Sequence, residues 1–239
     1  VTLHLQEAWH WLVGSPVFGA ALTLAAYGLA RRLWERTGRH ASLNPTLVAI
    51  VLTGATLLAL GVDYDDYMAG GSLFLLLLGP ATVALALPLY YERSLVRRSA
   101  GPIAAGLIAG SIASIVVAYL VTRWLGGSEE LALSMAPKSA TTPVSIALSE
   151  TFGGIPALTA VFTILAGILG AVAGPALLSL LRFRDLRVRG LAVGAASHGI
   201  GTSRALEEHA TEGAFSTLAM ALNALATAAL LPLLLVLLT

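Results

Sequence analysis

Ala136-Pro137-Lys138-Ser139-Ala140-Thr141-Thr142-Pro143-Val144-Ser145 is the stretch that decides how this chain is read. It places two prolines, a lysine and a cluster of hydroxyls inside a sequence otherwise built for hydrocarbon. Each proline lacks an N–H and disfavours helix at the preceding residue, so the pair leaves several backbone groups without helical partners. In lipid such backbone is tolerated only where protein encloses it or where it lines a wet cavity. The lysine adds roughly 2.5 to 3.5 kcal/mol of insertion cost near the bilayer centre. An anionic solute held at a helix break would offset that cost.

The rest of the composition agrees. Hydrophobic residues make up 57% and charged residues 11%, with a mean hydropathy of +0.84, whereas soluble domains carry about 25% charged residues. The net charge of +1 hides a segregation of sign along the chain. With no cysteine, disulfide frameworks, thiolate chemistry and cysteine-ligated metals are excluded. Val1 to Trp11 has no basic region ahead of the first apolar run, so a cleavable signal is not expected and the first segment should remain a membrane span.

Working outward, four apolar segments precede the stretch: Trp11 to Leu33, Asn44 to Gly61, Met68 to Tyr91 (interrupted at Gly79-Pro80 and Pro88) and Pro102 to Trp124. Each is long enough to cross about 30 Å of hydrocarbon. Basic loops prefer the cytoplasm, which puts Arg36 and Arg97 inside and Asp65 and Glu129 outside. Arg182, Arg184, Arg187 and Arg189 should again be inside, and Pro156 to Leu181 is one good crossing. Charge counting therefore makes Leu131 to Glu150 a re-entrant hairpin. Gly190 to Leu206, broken at Ser197-His198-Gly199-Ile200-Gly201-Thr202, and Gly213 to Leu238 complete the chain, with the N-terminus outside and the C-terminus inside. The expected fold is an all-α polytopic membrane protein of about eight hydrophobic segments, with a re-entrant hairpin and discontinuous helices. Residues 1–125 form one half and 126–239 the other. Pro45-Thr46-Leu47-Val48-Ala49-Ile50 resembles Pro156-Ala157-Leu158-Thr159-Ala160-Val161 on segments of opposite direction, the pattern of an inverted repeat.

Several residues bear chemistry. Lys138 is a counter-charge for a carboxylate, or else a lysine that snorkels or caps freed carbonyls. Ser139, Thr141 and Thr142 can donate and accept, which suits a hydroxy acid or a dehydrated cation, although such hydroxyls commonly bond back to their own turn. His198, beside Ser197, Gly199, Gly201 and Thr202, could carry the proton of a coupled cycle. Its alternative is a neutral ring bonded to a carbonyl across the bundle. Asn44 and Thr82 are candidates on the other half. Arg204 is expected to pair with Glu207 or Glu208. Gly106 to Gly110, Gly170 to Gly174 and Gly190 to Gly194 are small-xxx-small spacings read as helix packing. No metal-ligand spacing, phosphate loop or nucleophile with a base is present, so an enzyme is not expected.

Pro137-Lys138-Ser139-Ala140-Thr141-Thr142-Pro143, Gly153-Gly154-Ile155-Pro156-Ala157-Leu158, and Ala195-Ala196-Ser197-His198-Gly199-Ile200-Gly201-Thr202-Ser203-Arg204-Ala205 closely resemble the LrgB/CidB family. Asn44-Pro45 and Pro80-Ala81-Thr82-Val83-Ala84-Leu85 extend the match over nearly the whole chain. Ala140 and Gly199 depart mildly, standing where the family often has Val and Ala. The resemblance implies a bacterial inner-membrane protein of a holin-like or antiholin-like group that regulates murein hydrolase export and autolysis, beside a smaller LrgA/CidA-like membrane partner. The chain also looks like the C-terminal half of the plant plastid glycolate/glycerate translocator, and some bacterial members are associated with pyruvate movement.

Residues and resemblance together predict a secondary transporter of small monocarboxylates of the glycolate, glycerate, lactate or pyruvate type. Its partners would be the carboxylate solute and the lipid bilayer, with a homodimer compatible and no nucleic acid. It would need no cofactor, only a coupling proton or sodium ion. The rival expectation is a holin-like component without a stoichiometric solute site.

Overall fold

The computed structural model describes residues 11–38, 43–84, 86–91 and 93–238; inside the helices between residues 75 and 89 several side chains, that of Thr82 among them, lie outside the description. The described residues form helices joined by short turns, without a strand. The chain divides into two compact units, 1–84 and 85–239. The expected division at 125/126 separates the halves of a repeat, a different criterion from compactness.

The first unit contains α1 (Pro16–Arg36), α2 (Pro45–Leu60) and α3 (Tyr64–Ala84). α1 and α3 cross where Gly19 meets Gly70, leaving no room for a side chain at either, and Thr23 Oγ1 lies 2.8 Å from the Tyr67 hydroxyl. The break expected at Gly79-Pro80 does not occur. α3 continues to Ala84 with Pro80 inside it.

The second unit begins with two short helices, α4 (Ala86–Tyr91) and α5 (Arg93–Arg98), and is built on α6 (Ala100–Trp124), α9 (Pro156–Leu180) and α11 (Ala210–Leu238). Among the described residues these three long helices have the length and apolarity to cross a membrane. At 1.5 Å per residue, 25 residues reach about 37 Å. α6 and α11 lie side by side in parallel. Ile103 and Leu107 pack on Phe215 and Ala219, Ser111 meets Asn223, and Ile115 and Tyr119 pack on Leu231 and Leu235. Phe215 and Ile115 are fully buried, and between membrane helices such side chains hold the seam by close packing rather than by removal from water.

Between α6 and α9 the chain forms the expected re-entrant hairpin: α7 (Glu129–Met135), a turn, and α8 (Thr142–Phe152). Ser128 caps α7 by accepting from the Leu131 N–H, and Pro143 sits in the first turn of α8, where its missing N–H costs nothing. Gly153, at φ 83°, ends α8 in a left-handed conformation that other residues adopt reluctantly. The chain then returns to where it entered. The Ile155 N–H donates to Ser134 Oγ at 2.7 Å, and Thr159 Oγ1 lies 2.7 Å from Ser149 Oγ and 3.0 Å from the Ser134 carbonyl. These hydroxyls close the hairpin and start α9 beside it.

A second hairpin was not foreseen. α10 (Leu186–Glu208) contains His198 at φ 40°, ψ −131°, which divides it into residues 186–197 and 199–208. A methyl built on Gly201 would fall 2.8 Å from Val193 Cγ1, whereas eight residues of straight helix separate their ends by about 12 Å. The second half therefore folds back on the first. His209 is extended and α11 turns again, running parallel to 186–197 with Gly190 against Glu212 and Gly194 against Ser216. Thr202 Oγ1 lies 2.9 Å from Ser216 Oγ and ties the returning half to α11.

α9 runs antiparallel to residues 186–197, with Gly167 facing His198, Gly170 facing Ser197 and Gly174 facing Val193. The two hairpins thus enter from opposite ends of the bundle, each followed by a long helix. This corrects the expected topology in one respect. The segment from Gly190 to Leu206 is not a crossing, so the end of α11 lies with Trp124 and Glu129, away from Arg182 to Arg189. The end of α11 therefore lies at the end of the second unit opposite Arg182 to Arg189. The N-terminal residues fall outside those described. Within the second unit, residues 129–180 and 186–238 each form a hairpin followed by a long helix, and the two long helices run in opposite directions.

Candidate functional site

The tips of the two hairpins reach the middle of the bundle, and Asn223 of α11 joins them. Its Nδ2 donates to the Ser139 carbonyl at 2.9 Å and to the Ala195 carbonyl at 3.1 Å, while its Oδ1 accepts from Ser111 Oγ at 2.6 Å. Ser111 lies near the midpoint of α6. Asn223 is 1% exposed with all its partners supplied by protein, so it fixes both tips against the α6–α11 seam. Sequence reasoning passed over it. The available signal was a lone amide in the apolar run from Gly213 to Leu238.

The first tip is held by its own hydroxyls. Ser145 Oγ donates to the Pro137 carbonyl at 2.7 Å, taking an acceptor that the proline break leaves without a helical donor. The Ala140 N–H donates to the same carbonyl at 2.9 Å. These bonds present Lys138 and Ser139 to a cavity of about 660 Å³. Its walls are Pro102, Gly106, Gly110 and Ser114 along one face of α6, Ala166 of α9, and a face of residues 188–196 ending at Ala195 and Ala196. Among the described residues the Lys138 ammonium has no hydrogen bond or ion pair. Ser139 is 6% exposed, and its Oγ has no partner either. An uncommitted ammonium beside an uncommitted hydroxyl, in a cavity whose other walls are apolar apart from Ser114, can hold a small monoanion that carries a second oxygen.

The other expected site residues are placed as follows. Thr141 and Thr142 are half-buried and do not line the cavity. Ser197 and His198 are buried at the second tip, outside the cavity wall. The Ser197 hydroxyl has no partner, and His198 Nε2 lies 2.8 Å from the Thr163 carbonyl. Facing a carbonyl, that nitrogen must carry a hydrogen. This is the cross-bundle bond of the alternative reading. Gly201 makes the close return against Val193 and Ser197, Thr202 bonds Ser216, and Gly199 is exposed. Asn44, in the first unit, caps α2, its Oδ1 accepting from Thr46 N and Leu47 N. Arg204 pairs with Glu208 at 2.7 Å.

The three small-xxx-small pairs separate. Gly190 and Gly194 have α11 backbone where a Cβ would go, so they are packing glycines. Gly106 and Gly110 have nothing within 4 Å of that position and line the cavity instead.

At the end of α9 and the start of α10, Asp185 caps α10 through the Arg187 N–H at 2.9 Å and forms an ion pair with the Arg187 guanidinium. That pairing lowers the Asp185 carboxyl to about 2. Arg189 Nε lies 3.6 Å from Glu212 Oε2, a buried link between α10 and α11.

Comparison with known proteins fits this architecture to one group. The LrgB-like family matches residues 23–237. The uncharacterized protein YxaC of Bacillus subtilis is 38% identical over 85% of this chain and 88% of its own length. The holin-like protein CidB of Staphylococcus aureus is 34% identical over 90% of this chain and 94% of its own. The antiholin-like protein LrgB of Bacillus subtilis is 33% identical over 91% and 94%. No solved structure matches. With a match from residue 23 to residue 237, this multi-pass membrane protein belongs to the LrgB-like family.

Proposed function

We propose that this protein is a secondary transporter of small monocarboxylates. The observation that carries the reading is the unpaired Lys138 ammonium beside the partnerless Ser139 hydroxyl in the 660 Å³ cavity. One positive charge matches one carboxylate, and the Ser139 hydroxyl matches a second oxygen at C2. Thr141 and Thr142 have no part in this contact. Solutes of the glycolate, glycerate, lactate or pyruvate type meet these demands. Two hairpins entering from opposite ends support a reading by alternating access, in which a site between discontinuous helices is open to one side at a time. Coupling would be to a proton or a sodium ion, and the bacterial inner membrane is the expected location.

In reconstituted vesicles the wild-type protein should show saturable uptake of a labelled monocarboxylate, and Lys138→Ala should abolish it while inserting and folding normally. Undiminished uptake by that variant would remove the site.

A second reading is favoured by the names of the relatives, one holin-like and one antiholin-like: a holin-like or antiholin-like component, for which the family resemblance implies regulation of murein hydrolase export beside a membrane partner. It predicts non-saturable leakage of unrelated solutes, equal in wild type and Lys138→Ala, and no protection of residues 136–141 from labelling by carboxylates.

A further inference from the structure

The turn between α9 and α10 encloses a second hollow, separate from the first, of about 340 Å³. Ser179, Arg182, Phe183, Arg184, Leu186 and Arg189 line it. Three of its six lining residues are arginines and none is acidic. The fates of the arginines in this run differ. Arg187 is spent on Asp185 and does not line the hollow. Arg189 is fixed as a wall: Nη1 donates to Ser179 Oγ at 3.1 Å and to the Phe183 carbonyl at 3.3 Å, Nη2 to the Pro175 carbonyl at 3.5 Å, and Nε faces Glu212. The Arg182 and Arg184 guanidiniums have no hydrogen bond or ion pair among the described residues.

A helix-ending turn places the two free guanidiniums at the hollow: Arg182 stands at φ 62°, its N–H donates to the Ser179 carbonyl at 3.0 Å and the Phe183 N–H to the Leu178 carbonyl at 2.9 Å. Like charges gathered around one small space repel unless an anion sits between them. Planar guanidiniums that can each donate two parallel hydrogen bonds fit the tetrahedral oxygens of a phosphate.

We infer that this hollow binds a phosphate group, and that the phosphate is the headgroup of an anionic phospholipid. The surroundings decide between a lipid and a free phosphate. Leu180 is 77% exposed, Leu181 57% and Phe183 47%, all at the end of a helix that crosses the membrane. Such an apolar collar suits acyl chains entering beside a headgroup, and basic pockets between membrane helices hold headgroups in this way. General attraction of arginines to a membrane surface would need only charge, and Arg97 and Arg98, exposed and outside the hollow, supply as much of that as Arg182 and Arg184.

The test uses the full chain purified in mild detergent, with bound phospholipid counted by native mass spectrometry and thermal stability measured during titration. Phosphatidylglycerol, phosphatidylcholine and inorganic phosphate are the three probes. Wild type should retain and be stabilised by phosphatidylglycerol, well above phosphatidylcholine. Arg182→Gln/Arg184→Gln should weaken that binding by roughly tenfold or more, while Arg97→Gln/Arg98→Gln, which likewise removes two charges but at exposed positions outside the hollow, should not. Equal weakening by Arg97→Gln/Arg98→Gln would reduce the effect to surface charge and overturn the site. Stabilisation by inorganic phosphate with no preference among lipids would overturn the lipid assignment. Absence of bound lipid, together with no response to any probe in folded wild type, would overturn the whole.

Discussion

The amide of Asn223 donates to the carbonyl of Ser139 across 2.9 Å, joining the last helix of the chain to the tip of a hairpin 84 residues earlier. The same amide reaches the Ala195 carbonyl at the end of the other hairpin's first arm. One side chain therefore sets the distance between two helix breaks that enter the bundle from opposite ends.

Asn223→Leu should leave the Ser139 and Ala195 carbonyls and the Ser111 hydroxyl without their partner, at about 1 to 3 kcal/mol for each buried group. The expected results are a lowered melting temperature in detergent and faster labelling of a cysteine placed at Ser139. A variant that melts like wild type and keeps the tip protected would show that the tips are held by something else.

Lys138→Met should leave stability unchanged or raise it, because the ammonium it removes has no protein partner and bears a desolvation cost. The same change should eliminate monocarboxylate uptake. A lysine kept for structural reasons would give the opposite pattern, with a fall in melting temperature.

Gly110→Val should insert and melt normally, since nothing stands within 4 Å of the position its Cβ would take, yet it should exclude larger carboxylates in favour of smaller ones by filling the cavity. Gly194→Ala should instead destabilise by about 1 to 3 kcal/mol, as its Cβ would fall on the Ser216 backbone. Parallel melts and uptake assays of the two variants separate wall from seam. Equal effects on stability would contradict the assignment.

His198→Gln retains a donor for the Thr163 carbonyl, whereas His198→Ala does not. If the ring only fixes the second tip, the Gln variant should transport with an unaltered dependence on the proton gradient and the Ala variant should be impaired. Loss of proton dependence in the Gln variant alone would instead make His198 the proton carrier.

The Asp185 carboxyl, held at about 2 by Arg187, is depressed below its ordinary value of 3.8. Its contribution is therefore complete above about pH 4 and is lost as pH falls toward 2. Because the pair is solvent-exposed and screened, the amount is small. Asp185→Ala should cost about 1 kcal/mol through the lost helix cap, and the difference between variant and wild-type melts should be constant from pH 5 to 8. A difference that varied within that range would assign the effect to another group.

Much of the architecture was legible along the chain. Pro137 and Pro143 mark where helix must stop and restart, and the alternation of Glu129, Glu130 with Arg182 to Arg189 led to the expectation that the stretch between them folds back on itself. These are local facts of covalent chemistry and charge, and they required the first hairpin and located Lys138 within it. The break at His198 could be seen, but its angle could not. A kinked crossing and a complete reversal share the same Ser-His-Gly-Ile-Gly sequence, and only the contact of Gly201 with Val193 distinguishes them.

The same limit applies to packing. Gly106-to-Gly110 and Gly190-to-Gly194 are identical as spacings, and one became an open wall while the other became a close seam, because the neighbour that meets each glycine comes from a distant part of the chain. Asn223 was inconspicuous for the same reason, since all three of its partners lie between 28 and 112 residues away. Sequence alone determined where the helices must break and which charge lies at the break, because those properties belong to the residues themselves. The tertiary structure decided which broken ends meet and what encloses the charge, because long-range contacts set the distance between groups that the covalent chain leaves free.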